Sequence, residues 1–197
     1  DRCRDILRNI GRKGKDDVFL RDMPLMIIIQ EACSPIINSK KKKIIFSLNN
    51  TFGKEIGDFK EFNQPVLSRK PELIYGLRNI IQNAIDFSQS TVWIDVTYDL
   101  KTIDIFISDD GKGYPPNLLG KIGEPFLNES NFKKNFENSR PHYEGMGLGL
   151  FISKTLLENL DANVLFNNAI NRKNEKGAIV KIIFDRKKIE TNLKKTI

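Results

Sequence analysis

Three short stretches of the chain carry residues whose types and spacing could bind a nucleotide. In the first, Asn79 and Asn83 stand four residues apart, so they share one side of a helix, and Asp86 and Phe87 follow them. The oxygen of a side-chain amide is a neutral, hard ligand that suits Mg²⁺ bound to phosphates. Both asparagines also fit the polar face of an ordinary surface helix, and the spacing taken alone favours this second interpretation.

The second stretch is a turn with the pattern Asp109-x-Gly111-x-Gly113, which follows alternating isoleucines. A carboxylate can accept a hydrogen bond from an exocyclic amino group, such as that of adenine, and glycine lets a ligand approach the backbone closely. The same residues are common where a strand ends in a turn without any function. The turn by itself leaves both interpretations open.

The third stretch, "GMGLGL", places Gly145, Gly147 and Gly149 directly before a helical pattern. The free N–H groups and the positive end of such a helix can bind phosphates. The stretch is not a P-loop, because no Gly-Lys-Ser/Thr follows, and it is not the dinucleotide-binding motif, because its third glycine comes one residue early. A flexible hinge is the alternative.

The elements that must position these stretches can be predicted from apolar periodicity. From Pro71 onward, apolar residues recur at intervals of three and four, which predicts a helix that carries both asparagines. Two alternating stretches joined at 99–102 predict a strand pair that ends at the Asp-x-Gly-x-Gly turn. The stretch 111–145 has no convincing period, and a loop of that length is usually functional.

The remaining elements complete an α+β pattern, a two-layer sandwich in which a helical layer packs on one face of a mixed sheet. Asp22 is a candidate N-cap of the first helix, with Pro24 in its first turn, and Pro35 is expected to kink or end that helix. In order, these elements are a helix over 24–38, a strand over 43–49, loop or short edge structure over 50–70 and, after the long loop, a helix over 148–160 and strands over 163–166 and 178–184.

Composition excludes several classes of function. No apolar run approaches the roughly 20 residues that span a bilayer. The net charge of +7 would suit nucleic acid, but the basic residues are scattered without interleaved aromatics, so no nucleic-acid partner is expected. Cys3 and Cys33 lie far apart, outside any metal-ligand spacing, which favours a reduced intracellular protein with Cys33 buried and inert. Because the chain does not begin with Met, it is interpreted as a piece of a longer protein.

In their order, the three stretches resemble the sequence boxes of the ATP-binding domain of histidine kinases, a member of the gyrase, Hsp90 and MutL superfamily. Glu124-Pro125-Phe126 lies between the second and third stretches, where the family has a further box, and a late Gly177-Ala178 precedes the final strand. The resemblance covers about residues 20–185 and implies the Bergerat-type ATP-binding fold. The wording "NIIQNAIDFS", "IGEPF" and "GMGLGLFISKTLLE" is similar to that of the redox-responsive Reg/Prr-type sensor kinases of bacteria.

The resemblance implies ATP and Mg²⁺ as cofactors and assigns a role to each site residue. Asn83 is the expected catalytic residue and metal ligand, with Asn79 assisting. Asp109 is expected to bind the adenine amino group beside Gly111 and Gly113. Residues 114–144 would form a mobile ATP lid. The other expected ATP-binding residues are Asp86, Phe87, Arg140, Gly145, Gly147, Leu148 and Gly149.

The residue at position 79 bears on the reaction. ATP-hydrolysing members of the superfamily typically use a Glu one helical turn before the metal-binding Asn, but this chain has Asn79, whose amide cannot take a proton. The site is therefore expected to hydrolyse ATP slowly, as suits a kinase whose nucleophile is a histidine on another domain. The chain's own His142 lies in the presumed lid with no acidic residue after it and is interpreted as a surface residue.

The expected function is therefore that of the catalytic ATP-binding domain of a two-component sensor histidine kinase, which donates the γ-phosphate of ATP to a histidine absent from this chain. The alternative is a degenerate ATP-binding or interaction module without kinase activity. Two departures from the family pattern bear on it, since Asp86 stands where many members have a Lys near the phosphates, and Ala178 stands where Thr is common.

The resemblance also implies an organisation and partners. Residues 1–20 would be the end of a dimerisation helix and a linker, residues 21–185 the ATP-binding domain, and residues 186–197 a charged tail that is exposed or helical. The expected partners are the histidine-bearing dimerisation domain, a response regulator and a second copy in a homodimeric parent. The domain is expected to be cytoplasmic, and the bacterial parent is a candidate for inner-membrane anchoring. Cys3, between two arginines that favour the thiolate, is a candidate redox residue, and a passive helix cysteine is the alternative.

Overall fold

The computed structural model describes residues 22–37, 42–53, 63–124, 148–170 and 176–191 of the chain. Within them, eight strands form two sheets, and helices pack on the larger sheet. The strands are β1 (Asp22–Pro24), β2 (Lys43–Leu48), β3 (Thr51–Gly53), β4 (Val66–Ser68), β5 (Thr91–Tyr98), β6 (Thr102–Asp109), β7 (Ala162–Ile170) and β8 (Lys176–Asp185). The helices are α1 (Leu25–Ile37), α2 (Pro71–Phe87), α3 (Leu148–Glu158), α4 (Arg186–Ile189) and a short 3-10 helix (Leu119–Lys121).

The larger sheet has the strand order β3-β2-β5-β6-β8-β7. Only the β2–β5 pair is parallel and the other neighbours are antiparallel, so the predicted mixed sheet is confirmed. The β5–β6 hairpin closes where it was predicted, because the N–H of Asp99 donates to the carbonyl of Thr102 at 3.1 Å. In the register of the sheet, Val92 lies opposite Asp109, and Ser108 lies opposite Ile179. The start of β5, the end of β6 and the start of β8 therefore meet at one end of the sheet.

Helix α2 supplies the central stripe of the core. Pro71 occupies its first turn, where a missing N–H costs nothing. The six apolar residues that the periodicity selected are all buried, and burying one Leu or Ile side chain stabilises the fold by about 1.5–3 kcal/mol. They join the inward-facing residues of β5, β6 and β8 in one hydrophobic core, so the predicted α+β sandwich is confirmed. The six residues are Leu73, Leu77, Ile80, Ile81, Ala84 and Ile85.

The start of α1 differs from the prediction. Asp22 and Pro24 lie in β1, which pairs with β4, and the Asp22 carboxylate accepts a hydrogen bond from Ser68 Oγ at 3.0 Å. The prediction that Asp22 caps the helix is therefore wrong. The first helical N–H groups find distant partners instead, because Leu25 donates to the carbonyl of Pro65 and Met26 donates to the side-chain oxygen of Gln64, each at 3.0 Å.

Pro35 lies inside α1, two residues before Ile37, which is the last described residue of the helix, so the expectation that this proline kinks or ends the helix stays a prediction. Proline has no N–H, so the carbonyl of Glu31 lacks its usual helical donor. Arg78 of α2 donates a hydrogen bond to that carbonyl at 3.4 Å, and Arg69 pairs with the Glu31 carboxylate. Cys33, on the same helix, is fully buried, and burial raises the pKa of its thiol to about 12. The thiol therefore stays protonated at neutral pH, as expected of an inert cysteine.

Residues 186–191, which follow β8, pack on the domain beside the β5–β6 hairpin and β4. Helix α4 buries Ile189, and Arg186 pairs with the buried carboxylate of Glu190 at 2.5 Å. The N–H and hydroxyl of Thr191 both donate to the carbonyl of Val66 in β4. The described part of the predicted tail thus packs on the domain, while the division of the chain at 20 and 185 stays a prediction. Among the described helices, none is long and apolar enough to cross a membrane.

Candidate nucleotide-binding site

Helix α2 holds Asn79 and Asn83 on one side, as their spacing predicted. Both side chains are half-buried, and Asn83 Nδ2 donates a hydrogen bond to the carbonyl of Asn79 at 3.0 Å. This bond uses the amide nitrogen of Asn83 and leaves its oxygen as the atom that could bind a cation. No group of three or more His, Cys, Asp or Glu side chains within the described residues could hold a metal ion by itself.

Asp86 and Phe87 lie in the last turn of α2. The Asp86 carboxylate accepts a hydrogen bond from Gln82 Nε2 at 2.8 Å, one helical turn earlier. The carbonyl oxygen of Phe87 would lie only 2.3 Å from a Cβ atom added to Gly111. Gly111 is therefore the residue that lets the turn after β6 approach the end of the Asn-bearing helix, and this close approach brings the first and second sequence stretches together.

Asp109, the last residue of β6, is 2% exposed. Its Oδ1 accepts hydrogen bonds from the N–H of Gly111 at 2.7 Å and from the N–H of Ala178 at 3.4 Å. Its Oδ2 has no hydrogen-bond partner within the described ranges. Burial raises the pKa of this carboxyl to about 6, and the neighbouring charge of Asp110 adds to the rise, while the two N–H donors and Lys42 oppose it. The carboxylate is thus buried, charged at neutral pH and only half satisfied.

Asp110 contrasts with Asp109, because its carboxylate accepts several hydrogen bonds from residues at the start of β5. It accepts from the N–H groups of Gln89, Ser90 and Thr91 at 2.8, 2.9 and 3.0 Å and from Ser90 Oγ at 2.6 Å. Burial raises its pKa, but these hydrogen bonds outweigh burial and lower the pKa to about 2. Asp110 therefore ties the end of β6 to the start of β5 and is a structural residue.

Two glycines allow the turn to cross the end of the sheet. A Cβ atom on Gly177, at the start of β8, would lie 1.9 Å from the carbonyl oxygen of Asp109. Gly113 has a φ of +75°, and a Cβ atom there would lie 2.6 Å from Asn168 Oδ1. The late Gly177-Ala178 pair thus has a physical role beside Asp109. Asn168 of β7 had no signal in the sequence, because it belongs to no motif.

Helix α3 begins with Leu148 and Gly149, the described end of the "GMGLGL" stretch, and both residues are half-buried. Among the described residues, a Cβ atom on Gly149 would meet nothing within 4 Å. Helix α3 packs closely on α2, since a Cβ atom on Gly76 would lie 2.8 Å from Leu157 Cγ. The described end of the third stretch thereby belongs to a helix that packs against the helix carrying the first.

The first part of the predicted lid, residues 114–124, packs on the domain. Leu118 and Ile122 are buried on either side of the 3-10 helix. Gly123 has a φ of +85° and lies against Lys154 of α3 and Phe166 of β7. Several predicted residues lie outside the described residues and stay predictions: Cys3, Phe126, Arg140, His142, Gly145 and Gly147.

Comparison with known proteins defines the family to which this chain belongs. Residues 69–188 match the family described as histidine kinase-, DNA gyrase B-, and HSP90-like ATPase. This match covers more than half of the chain, and it contains Asn79, Asn83, Asp109 and Gly177. The chain belongs to this family of ATPase domains, as the four sequence boxes implied.

Curated relatives are sensor kinases. The chain is 48% identical over 191 residues to the sensor histidine kinase RegB of Cereibacter sphaeroides, covering 93% of this chain and 40% of RegB. It is 30% identical over 173 residues to the histidine protein kinase SaeS of Staphylococcus aureus, covering 84% of this chain and 43% of SaeS. The chain thus spans well under half the length of these relatives.

Solved structures of histidine kinases share the fold. The mycobacterial sensor histidine kinase MprB superposes with a TM-score of 0.58 at 17% identity, covering 83% of this chain and 95% of that structure. Full-length ShkA in complex with AMPPNP superposes with a TM-score of 0.60 at 18% identity, covering 95% of this chain and 35% of that structure. At these identities the likeness establishes the fold alone.

Proposed function

We propose that this chain is the catalytic ATP-binding domain of a two-component sensor histidine kinase, which binds Mg-ATP and donates its γ-phosphate to a histidine on a dimerisation domain. The observation that carries the proposal is the Asp109 carboxylate at the end of β6, with one oxygen held by the N–H groups of Gly111 and Ala178 and the other without a partner among the described residues. Membership of the ATPase family and the similarity to RegB support it.

Asp109 suits the adenine end of ATP. Its pKa of about 6 leaves it ionised at neutral pH, and an ionised carboxylate can only accept hydrogen bonds. Adenine presents an amino group as a donor, whereas guanine presents a carbonyl oxygen at the same position, which the carboxylate would repel. A donor of the ligand at Oδ2 would add a hydrogen bond to an ionised carboxylate, and such bonds are stronger than those between neutral groups.

Asn83 fits the metal. Mg²⁺ is usually held in nucleotide sites by one or two protein oxygens together with phosphate oxygens and water. The free oxygen of the Asn83 amide can supply such a ligand, with Asn79 fixing its orientation through the hydrogen bond at its carbonyl. When bound, Mg²⁺ offsets the negative charge of the phosphates during transfer. The glycines before α3, including Gly149, would admit the phosphates to the start of that helix.

Transfer to a histidine, rather than to water, follows from the residue types on α2. A general base must take the proton of an attacking water, and neither Asn79 nor Asn83 can do so at neutral pH. The imidazole of a histidine needs no such base, so the nucleophile can come from a separate domain. We infer a parent that is a homodimer, carries that histidine on its dimerisation domain and passes the phosphate to a response regulator. We also propose that the domain acts in the cytoplasm and that the parent protein is anchored in the inner membrane.

The experiment that tests the proposal has two parts. Equilibrium binding of a fluorescent ATP analogue is measured with and without Mg²⁺ for the wild-type chain, for Asn83→Ala and for the control Asn163→Ala, which changes an exposed asparagine of β7. We expect Asn83→Ala to abolish the Mg²⁺-dependent part of the affinity and the control to change nothing. Unchanged Mg²⁺ dependence in Asn83→Ala would contradict the assignment of the metal ligand.

The second part supplies a separately produced dimerisation domain of a similar kinase together with labelled ATP. We expect label on the histidine of that domain and none on this chain. A second function, a degenerate ATP-binding module without kinase activity, is favoured by Asp86, whose negative charge near the site leaves the phosphates less compensated. Tight ATP binding without any transfer would establish that second function, and label on His142 would contradict both.

A further inference from the structure

The backbone from Asp109 to Tyr114 crosses one end of the sheet, from β6 over the start of β8 to β7. Gly177 makes room for the crossing, because a Cβ atom there would lie 1.9 Å from the carbonyl oxygen of Asp109. At the far side, the ring of Tyr114 meets that of Phe166 edge-on, with 6.2 Å between the ring centroids. The hydrogen bonds of Asp109 fix the near end of this crossing segment, and Tyr114 is its far end.

Asn168 of β7 holds the far end with both halves of its amide. Its Oδ1 accepts from the N–H of Tyr114 at 2.6 Å, and its Nδ2 donates to the carbonyl of Tyr114 at 2.7 Å. One side chain thus satisfies both backbone groups of one residue, as a neighbouring strand would. The close approach depends on Gly113, whose added Cβ atom would lie 2.6 Å from Asn168 Oδ1.

The residue type at this position is informative. Asparagine is depleted in strands, and a residue that opposes its local preference points to a role in the tertiary structure or in function. Only an amide places an acceptor and a donor side by side in the required arrangement, since a carboxylate has no donor. Asn168 also lies directly opposite Ala178 in the β7–β8 register, and Ala178 N–H is one of the two donors to Asp109. One strand, β8, therefore lies between Asn168 and the Asp109 carboxylate.

We infer that Asn168 is a positioning residue of the nucleotide site, which holds Gly113 and Tyr114 so that the backbone between Gly111 and Gly113 stays in place beside the base of the nucleotide. This inference rests on the proposed function. Asn168 acts through the crossing segment and does not itself contact the nucleotide. The segment borders the base and not the terminal phosphate. Loss of the amide is therefore expected to weaken the binding of ADP and the binding of ATP by the same factor.

The test measures the affinities of ADP and ATP for the wild-type chain, for Asn168→Ala, for Asn168→Asp and for the control Asn163→Ala on the same strand. Because Asn168→Ala removes two hydrogen bonds, we expect it to lower the affinity for both nucleotides about tenfold. Asn168→Asp keeps the acceptor and loses the donor, so we expect a loss of about threefold. The control should retain wild-type affinity. Hydrogen exchange of the Tyr114 amide, measured without nucleotide, should be faster in both Asn168 variants.

Several outcomes would overturn the inference. A folded Asn168→Ala chain with wild-type ADP affinity does so directly, and if that variant does not fold, wild-type affinity in Asn168→Asp does so in its place. Loss of ATP affinity with unchanged ADP affinity would also overturn it, because the effect would then lie at the phosphate end. A wild-type chain that binds neither nucleotide would refute the proposed function, and this inference with it, and the wild-type measurement alone reveals that case.

Discussion

Asp109 and Asp110 are consecutive residues with the same side chain and the same exposure of 2%, yet their environments differ in kind. The pKa of Asp109 is raised to about 6, while that of Asp110 is lowered to about 2. Burial raises the pKa of both carboxyls and does so more strongly at Asp109, and the donors also differ, since Asp110 receives three N–H groups and a hydroxyl, whereas Asp109 receives one short and one long N–H bond. Equal exposure to solvent therefore does not give two carboxyls the same pKa, because the number of hydrogen-bond donors around each one also matters.

The comparison separates a residue that stabilises the fold from one that is held ready for a ligand. The Asp110 carboxylate closes the junction between the end of β6 and the start of β5. Asp109 keeps one oxygen without a hydrogen-bond partner among the described residues, and this oxygen is available to a ligand donor. The four predictions that follow test this division, from the largest expected effect to the smallest.

The variant Asp109→Asn should lose nucleotide affinity at least about a hundredfold, because an amide N–H₂ group in place of Oδ2 would face the donor of adenine. The variant should still fold, since the amide oxygen can still accept a hydrogen bond from the N–H of Gly111. Binding of a fluorescent ATP analogue and urea unfolding check the two parts. Asp110→Asn serves as the matched control, and equal losses of affinity in both variants would break the distinction between the two carboxylates.

The pH dependence of stability should differ between wild type and Asp109→Asn. Because the folded pKa of Asp109 is raised from 3.8 to about 6, the folded state binds more protons than the unfolded state between these values. The contribution of this group is therefore fully present below about pH 4 and is lost as pH rises through about 6, by up to about 3 kcal/mol. Urea unfolding between pH 4 and pH 7 measures it.

In that experiment, the stability of wild type relative to Asp109→Asn should fall as pH rises. Asp110 contributes in the opposite sense and in another range, because its lowered pKa adds stability above about pH 4 that is lost as pH falls towards 2. Parallel pH profiles for wild type and Asp109→Asn would show that the Asp109 pKa is not raised.

The variant Asp110→Asn should destabilise the fold by about 2 kcal/mol, because charge-assisted hydrogen bonds from Ser90 and Thr91 lose their acceptor charge. The affinity of the folded chain for ATP should change by less than about threefold. Thermal or urea unfolding and nucleotide titration measure both quantities. A large loss of affinity with unchanged stability would assign the nucleotide role to Asp110 instead.

The variant Ser90→Ala should have the smallest effect, a loss of about 1 kcal/mol, since it removes only the hydroxyl bond to Asp110 Oδ2 and leaves the backbone N–H in place. Nucleotide affinity should stay at the wild-type value. The same unfolding and binding measurements apply, with the double variant Ser90→Ala/Asp110→Asn completing a cycle. Full additivity in that cycle would mean that the hydroxyl and the carboxylate do not interact.

Local patterns in the sequence predicted most of the elements. The buried face of α2 and the β5–β6 hairpin follow from spacings of a few residues, and such spacings act within one element. The N-cap prediction for Asp22 failed because the first N–H groups of α1 bond to residues 64 and 65, which lie 38 and 40 positions away along the chain. A capping residue can be read from its neighbours only when the helix end is satisfied locally.

The ordered motifs also marked Asn79, Asn83, Asp109, Gly111 and Gly113 as one site, since recurring chemistry leaves recurring residue types. The sequence by itself thus determined the fold class, the family and the residue types available to bind a nucleotide. Only the tertiary structure showed which donors reach the carboxylates of Asp109 and Asp110, and only it brought Asn168 to Tyr114 across 54 positions of chain. The physical reason is that these roles depend on which donors reach a buried oxygen, and packing of distant segments decides that.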